Sequence, residues 1–116
     1  MTEIETFFAA WGMAEASDRS TAIREAVTDE VTYADPRTNA PLTGPSAITD
    51  YIGMFTQMAP GATAKVVKSD VIQNTARVTI AFVMADGKEQ HGQYFVEPAA
   101  GKITRMTGFV GTGTPE

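Results

Sequence analysis

The sequence predicts an α+β fold, with three N-terminal helices packed against a curled antiparallel sheet. Three features predict it. Helical spacing of apolar residues is confined to the first half of the chain. From about residue 63 onward, β-branched residues dominate four runs joined by tight turns. One further strand lies between the second and third helices and stops at Asp35 and Pro36.

The first helix is expected over residues 3–16, where Ile4, Phe7, Phe8, Trp11 and Ala14 recur at three- and four-residue spacing. Thr2 suits the N-cap, and Glu3 and Glu5 suit the positive end of the helix dipole. Residues 17–20 read as a short break. Residues 21–27 read as a second helix with Ala22, Ile23, Ala26 and Val27 turned inward. A strand then runs from Val31 to Asp35. Pro36 cannot donate to a ladder and holds the residue before it extended, so the strand ends there. Pro41 and Gly44 punctuate the loop that follows. Pro45 fits the first turn of a third helix over residues 45–58, whose apolar stripe is Ile48, Tyr51, Ile52, Phe55 and Met58. Pro60 and Gly61 stop it.

The four later strands are expected over residues 63–72, 75–85, 88–97 and 102–112. The links are Gln73-Asn74, Asp86-Gly87 and a short turn ending at Gly101. Asp-Gly between two such runs is a strong hairpin signal, and strands joined this tightly form an antiparallel meander. The tail, residues 111–116, is expected to fray.

A chain of 116 residues is the size of one domain with a real core, so residues 1–116 are read as a single domain. Nine basic residues against fourteen acidic ones give a net charge of −5, which argues against nucleic acid or an anionic membrane as a partner. There is no cysteine, which excludes disulfides, thiolate metal sites and a cysteine nucleophile. The acidic start lacks the features of a signal peptide, and no apolar run approaches the roughly 20 residues that span a bilayer. A cytoplasmic protein is expected. A single histidine with scattered carboxylates makes a poor metal site, and no cofactor is expected.

Both faces of the strand over residues 75–85 are apolar. Val78, Ile80, Phe82 and Met84 lie on one face, and Thr79, Ala81 and Val83 on the other. A half-exposed strand alternates more cleanly, so the outer face is expected to meet a second copy in a homodimer.

Asp35 is the candidate working carboxylate, with a solvated turn aspartate as the other reading. Tyr33, two residues earlier, shares its strand face. His91, Gln93 and Phe95 also share one face. If that face walls a pocket, His91 can serve as acid or base or hold a polar group; otherwise it is a surface histidine. Arg37 can neutralise Asp35, bind an anionic substrate group or stand in solvent. Trp11, Phe55, Met58 and Met106 read as core, with some of them walling any cavity. Tyr51 needs a hydroxyl partner if buried. A cavity is expected between the third helix and the sheet, lined by some of Trp11, Tyr33, Tyr51, Phe55, Gln93 and Met106.

The layout resembles the nuclear transport factor 2-like superfamily, in its SnoaL-like and ketosteroid-isomerase-like branch. The residues that carry the resemblance are the strand Val31 to Asp35 with Pro36, then Leu42, Gly44 and Ile48 opening a helix, and the closing strand from Gly101 to Phe109. The resemblance implies a curved, cone-shaped sheet wrapped around the helices, an apolar pocket at its open end, and the homodimer common among its members. In isomerase members the aspartate matching Asp35 is a general base that moves a proton on an enolisable ketone, while a tyrosine and a protonated carboxylic acid stabilise the enolate oxygen. The tyrosine position falls near Phe8 or Trp11, in a helix without tyrosine. The second donor position falls at Gln93, an amide.

Two functions stay open at this level. One is a cofactor-free isomerase- or cyclase-type enzyme acting on an apolar carbonyl substrate, with Asp35 as base and His91 and Gln93 as further catalytic candidates. Trp11, Tyr33, Tyr51, Phe55 and Met106 would bind the substrate. The other is a non-catalytic module that binds a small apolar ligand or serves dimer assembly.

Overall fold

The structure is a computed structural model and describes residues 2–112. Of the tail expected to fray, residues 113–116 lie outside the described residues. Helix α1 (Glu3–Ala9) leads through one 3-10 turn (Ala10–Gly12) to α2 (Ala16–Ala26). Strands β1 (Val27–Ala34) and β2 (Leu42–Thr43) precede α3 (Pro45–Met58). The chain ends in β3 (Thr63–Ile72), β4 (Thr75–Val83), β5 (Glu89–Ala99) and β6 (Lys102–Val110).

Thr2 caps α1 in a reciprocal box. Its hydroxyl accepts from the Glu5 backbone N–H, and the Glu5 carboxylate accepts from the Thr2 backbone N–H. That bond holds the Glu5 carboxyl below its usual range. The helical spacing over residues 3–16 spans two elements. The break falls around Met13 and Ala14, ahead of residues 17–20, because Arg19 turns inward and ties it. Arg19 is buried, and its guanidinium donates to the carbonyls of Met13 at 2.8 Å and Ala14 at 3.4 Å. These carbonyls at the α1–α2 link thus receive a charged donor. The same guanidinium lies against α3 at Gly53, where an added Cβ would stand 3.3 Å from Nη1. One side chain therefore sets the spacing of all three helices.

The sheet order is β2-β1-β6-β5-β4-β3. The meander β3–β6 is antiparallel throughout. The expectation of a wholly antiparallel sheet is corrected at one place, since β1 pairs with β6 in parallel, Tyr33 opposite Met106. Helix α3 carries the chain back between β2 and β3, so these two strands run the same way, and the three reversals from β3 to β6 bring β6 parallel to β1. A second correction is β2, a two-residue strand within the expected loop that pairs with Thr32 and Tyr33. Gly44 then turns the chain into α3 at φ +89, a conformation open to glycine, while its N–H donates to the Val31 carbonyl at 2.8 Å.

The concave face of the sheet carries Val78 and Ile80 of β4, Tyr94 and Val96 of β5, and Ile103 and Met106 of β6. All are buried against Phe7, Phe8, Trp11, Ile23, Ile48 and Ile52 of the helical layer. No helix among the described residues is long and apolar enough to cross a membrane.

Replacing Arg19 by alanine should lower stability by about 1–3 kcal/mol, the cost of stripping charged donors from carbonyls that ordered structure had satisfied. Thermal and denaturant unfolding measure it. A shift within error would assign the helix spacing to apolar packing alone.

Candidate functional site

Asp35 sits one residue beyond β1, and its side chain is fixed by the turn that Pro36 begins. The Arg37 backbone N–H donates to Asp35 Oδ1 at 2.8 Å. The Thr38 hydroxyl accepts from the Asp35 N–H at 3.1 Å, and the Thr38 N–H donates to the Asp35 carbonyl at 3.1 Å. This is the local turn chemistry of aspartate. It leaves the carboxylate facing the concave side of the sheet.

Two phenols meet it there. Tyr51, from α3, donates to both oxygens, at 2.8 Å to Oδ1 and 2.6 Å to Oδ2. Tyr33, from β1, donates to Oδ2 at 2.7 Å. The Tyr33 hydroxyl also lies 2.8 Å from the Tyr94 hydroxyl, from β5. A carboxylate only accepts, so the single proton of Tyr33 is committed to Asp35. Tyr94 must then be the donor to Tyr33. The row runs Tyr94 to Tyr33 to Asp35, with Tyr51 joining from the other side.

Gly108 makes the row possible. Tyr33 and Tyr94 lie on strands separated by β6, about 9–10 Å apart at normal strand spacing. The Tyr94 ring crosses that gap over Gly108, where a Cβ would stand 2.5 Å from Tyr94 Cε2. Phe8 holds the ring from the helical side, edge to face, with centroids 5.0 Å apart.

The three tyrosines of the row are the only tyrosines in the chain. All have pKa values raised above the usual 10.0. Burial is the main cause in each. For Tyr33 the neighbouring Tyr94 and then Asp35 add to it; for Tyr51 the hydrogen bond to Asp35 and its charge add to it. For Tyr94 the bond to Tyr33 and the charge of Arg37 pull the other way and are outweighed.

Asp35 and Tyr51 open onto a cavity of about 710 Å³ between α3 and the ends of β4–β6. Trp11, Phe55, Phe82 and Tyr94 form its inner wall, with Trp11 packed against Phe55 at 5.0 Å and Phe82 at 5.4 Å. Exposed Met54, Met58 and Val110 line its outer part. The α3 stripe thus divides: Ile48 and Ile52 enter the core, while Tyr51 and Phe55 face the cavity.

Of the residues singled out in the sequence, Asp35, Trp11, Tyr51, Phe55 and His91 border the cavity. Tyr33 is fully buried behind it and reaches Asp35 from there. Met106 is buried in the core and borders no part of the cavity. Gln93 is displaced by strand parity. Gly92, Tyr94 and Val96 are the buried face of β5, so Gln93 and Phe95 lie on the convex side. His91 also belongs to that side and touches the cavity only at the rim. Its Nε2 is 3.6 Å from Glu89, and no hydrogen bond or ion pair joins it to Asp35 among the described residues. Arg37 holds Asp35 by its backbone, and its side chain is exposed at the rim.

Tyr94 was not singled out from the sequence. The signal was present: Gly92, Tyr94 and Val96 alternate against the polar Gln93 and Glu97, which marks them as the inward set. Among the described residues no cluster of three or more histidine, aspartate or glutamate side chains is placed to hold a metal ion.

The architecture is the nuclear transport factor 2-like fold. Among solved structures it is similar to a protein from Agrobacterium tumefaciens provisionally described as an isomerase of the SnoaL-like family, at 23% identity, 95% coverage of both chains and a TM-score of 0.85. It is also similar to a protein from Sinorhizobium meliloti provisionally described as a polyketide cyclase, at 19% identity, 91% coverage of this chain, 92% of the other and a TM-score of 0.72. A third, from Catenulispora acidiphila, has a ketosteroid isomerase-like fold and holds trimethylamine, at 14% identity, 93% and 85% coverage and a TM-score of 0.74. At these identities the likeness is one of fold. No protein-family model and no curated protein matches the sequence.

Two outcomes test the site. Ultraviolet titration of the native protein should show no phenolate near pH 10, since all three tyrosines titrate higher. Their folded pKa values lie above the unfolded ones, so this stabilisation is full below pH 10 and falls as pH rises beyond it. Phenolate should therefore rise together with alkaline unfolding; a tyrosine titrating at 10 in the folded protein would break the row. Separately, Gly108→Ala should cost about 1–3 kcal/mol by overpacking and push the Tyr94 ring off Tyr33. A crystal structure of the variant with the hydroxyl pair intact would refute the crossing argument.

Proposed function

We propose that the protein is a cofactor-free enzyme of isomerase or cyclase type, which removes a proton from carbon next to the carbonyl of an apolar substrate with Asp35 as general base. The observation that carries this reading is a fixed carboxylate opening onto a largely apolar cavity, with phenols beside it. A general base needs a set position and a substrate held against it by apolar contact. Tyr51 and Tyr94 are the tyrosines that border the cavity, and they take the place of the first-helix tyrosine and Gln93 as donor candidates. The described likeness of two fold neighbours to isomerases and cyclases agrees with this class of chemistry.

One observation favours a second reading, a non-catalytic pocket for a small apolar ligand. A carboxylate has about four lone-pair sites, and Asp35 accepts four contacts from Tyr33, Tyr51 and the Arg37 N–H. Catalysis requires Tyr51, whose one proton is shared between both oxygens, to yield a site to the substrate.

Hydrogen–deuterium exchange at the α-carbon of acetylnaphthalene in heavy water, followed by nuclear magnetic resonance, separates the readings without knowledge of the natural substrate. The enzyme should catalyse exchange, and Asp35→Asn should reduce it by about 100-fold or more while still binding the ketone. Binding with no exchange in the wild type would establish the second reading.

We also propose that the convex sheet face joins two copies. Phe95 and Phe109 are exposed there and pack edge to face at 5.8 Å, a patch able to meet its own symmetry mate. Light scattering at micromolar concentration should give twice 12.4 kDa for the wild type and 12.4 kDa for Phe95→Asp. A wild-type monomer would remove the dimer.

A further inference from the structure

The direction of the hydroxyl row has a chemical consequence. With Asp35 ionised, every phenolic proton of the chain is spoken for. Tyr51 and Tyr33 donate to the carboxylate, and Tyr94 donates to Tyr33. No phenol then offers an O–H to a ligand in the cavity, although Tyr51 and Tyr94 both border it. A ligand oxygen that can only accept finds no phenolic donor.

Protonation of Asp35 reverses this. A carboxylic acid donates through its one O–H. With the proton on Oδ2, the acid donates to Tyr33 or Tyr51. If Tyr33 accepts it, the Tyr33 proton swings to Tyr94, and the Tyr94 O–H is released to the cavity. If Tyr51 accepts it, the Tyr51 O–H is released directly. The spacings of 2.7 and 2.8 Å serve either direction, so no heavy atom has to move.

We propose that Tyr33 is a positioning residue that couples the proton state of Asp35 to the hydrogen-bond donor presented by Tyr94. The site would thus hold a carbonyl oxygen loosely before proton transfer and its enolate tightly after it. This rests on the general-base reading above for its catalytic meaning, but the coupling itself is a property of the row. In the reaction, the substrate C–H bond breaks and its proton forms an O–H bond on Asp35. The electron pair moves into the carbonyl system and places negative charge on the substrate oxygen. The same event frees a phenolic donor for that oxygen. Stabilisation then arises where charge develops and not in the ground state, which is the condition for raising the rate.

The groups that face Asp35 are few. They are Tyr33 from its own strand, Tyr51 from α3, Tyr94 from β5 through Tyr33, and the backbone and exposed guanidinium of Arg37. His91 lies at the rim with Glu89 as its partner. Arg37 and His91 take no part in the row, and neither accepts from it.

The amide at position 35 gives a fixed version of the protonated state. In Asp35→Asn the Arg37 N–H retains the amide oxygen at the Oδ1 place. The NH₂ group then occupies the Oδ2 place and donates to Tyr33 and Tyr51.

The test is binding of two probes at neutral pH: acetylnaphthalene, whose oxygen only accepts, and ethylnaphthalene, which has no oxygen. Tyr33→Phe cuts the row and leaves the Tyr94 O–H without an acceptor. It should bind acetylnaphthalene roughly fivefold tighter than wild type, the worth of about one ordinary hydrogen bond, with ethylnaphthalene unchanged. Tyr33→Phe/Tyr94→Phe should lose that gain. A merely structural role for Tyr33 predicts weaker or equal binding of both probes. No gain in Tyr33→Phe with ethylnaphthalene binding intact overturns the proposal, and so does a gain that survives loss of Tyr94. If Tyr33→Phe fails to fold, Asp35→Asn decides. Its affinity for acetylnaphthalene should exceed that of wild type and fall when Tyr94→Phe is added; equal affinity with and without Tyr94 overturns the coupling. These readouts involve no turnover. Absence of α-carbon exchange with the binding pattern intact would remove the general base and leave the coupling, and the converse would remove the coupling alone.

Discussion

A carboxylate beside an apolar cone has to be solvated by something other than water, and in this protein two side chains and one backbone N–H do it. The bonds to Asp35 are short, between 2.6 and 2.8 Å, and each comes from a different part of the fold. Tyr33 comes from β1, Tyr51 from the third helix, and the N–H from the turn that Pro36 starts. Tyr94 supports Tyr33 from two strands away. Satisfying one charge therefore fixes how α3 lies against the sheet and how β1, β6 and β5 are aligned. Leaving that charge unsatisfied would cost more than any of these bonds contributes singly.

The same constraint explains the small residues of the neighbourhood. Gly108 is the place where one aromatic ring crosses a strand. Helix spacing is handled by Arg19, which reaches the α1–α2 link and α3 at Gly53 together. Polar contacts thus hold both the candidate site and the helical layer, and an aromatic cluster joins the core to the cavity. Trp11 belongs to both regions, since it is buried in the core and forms part of the cavity wall.

Much of this was legible in the sequence because it depends on local rules. Helical spacing located α3 with its ends, and the turn residues located the meander. The Asp-Pro pair marked the end of β1. Two things were not legible, and a third was legible but missed. The parallel β1–β6 pair follows from the return path of the whole sheet, which no local window contains. The burial of Arg19 hid the true helix break, because an arginine among Ser17, Asp18 and Ser20 reads as solvent-facing. Gln93 was the position the resemblance marked, and Tyr94 lies one residue from it, a step in strand parity that moves a side chain of β5 to the opposite face. The alternation was there to be read, but a polar residue matching a family position drew attention from a buried tyrosine.

The pairing of Tyr33 with Tyr94 also bears on how the molecule is made. The two hydroxyls are 61 residues apart in the chain, and β6, the strand between them, follows both β1 and β5 in the chain. Contacts of such long sequence separation form late, because the intervening chain must first be ordered. The helices and the β3–β5 hairpins can form from neighbouring residues, whereas the hydroxyl row waits for β6. A nascent or truncated chain lacking β6 would have the carboxylate but not the aligned row of phenols. The fold in this way withholds the aligned hydroxyls until β6 lies between β1 and β5.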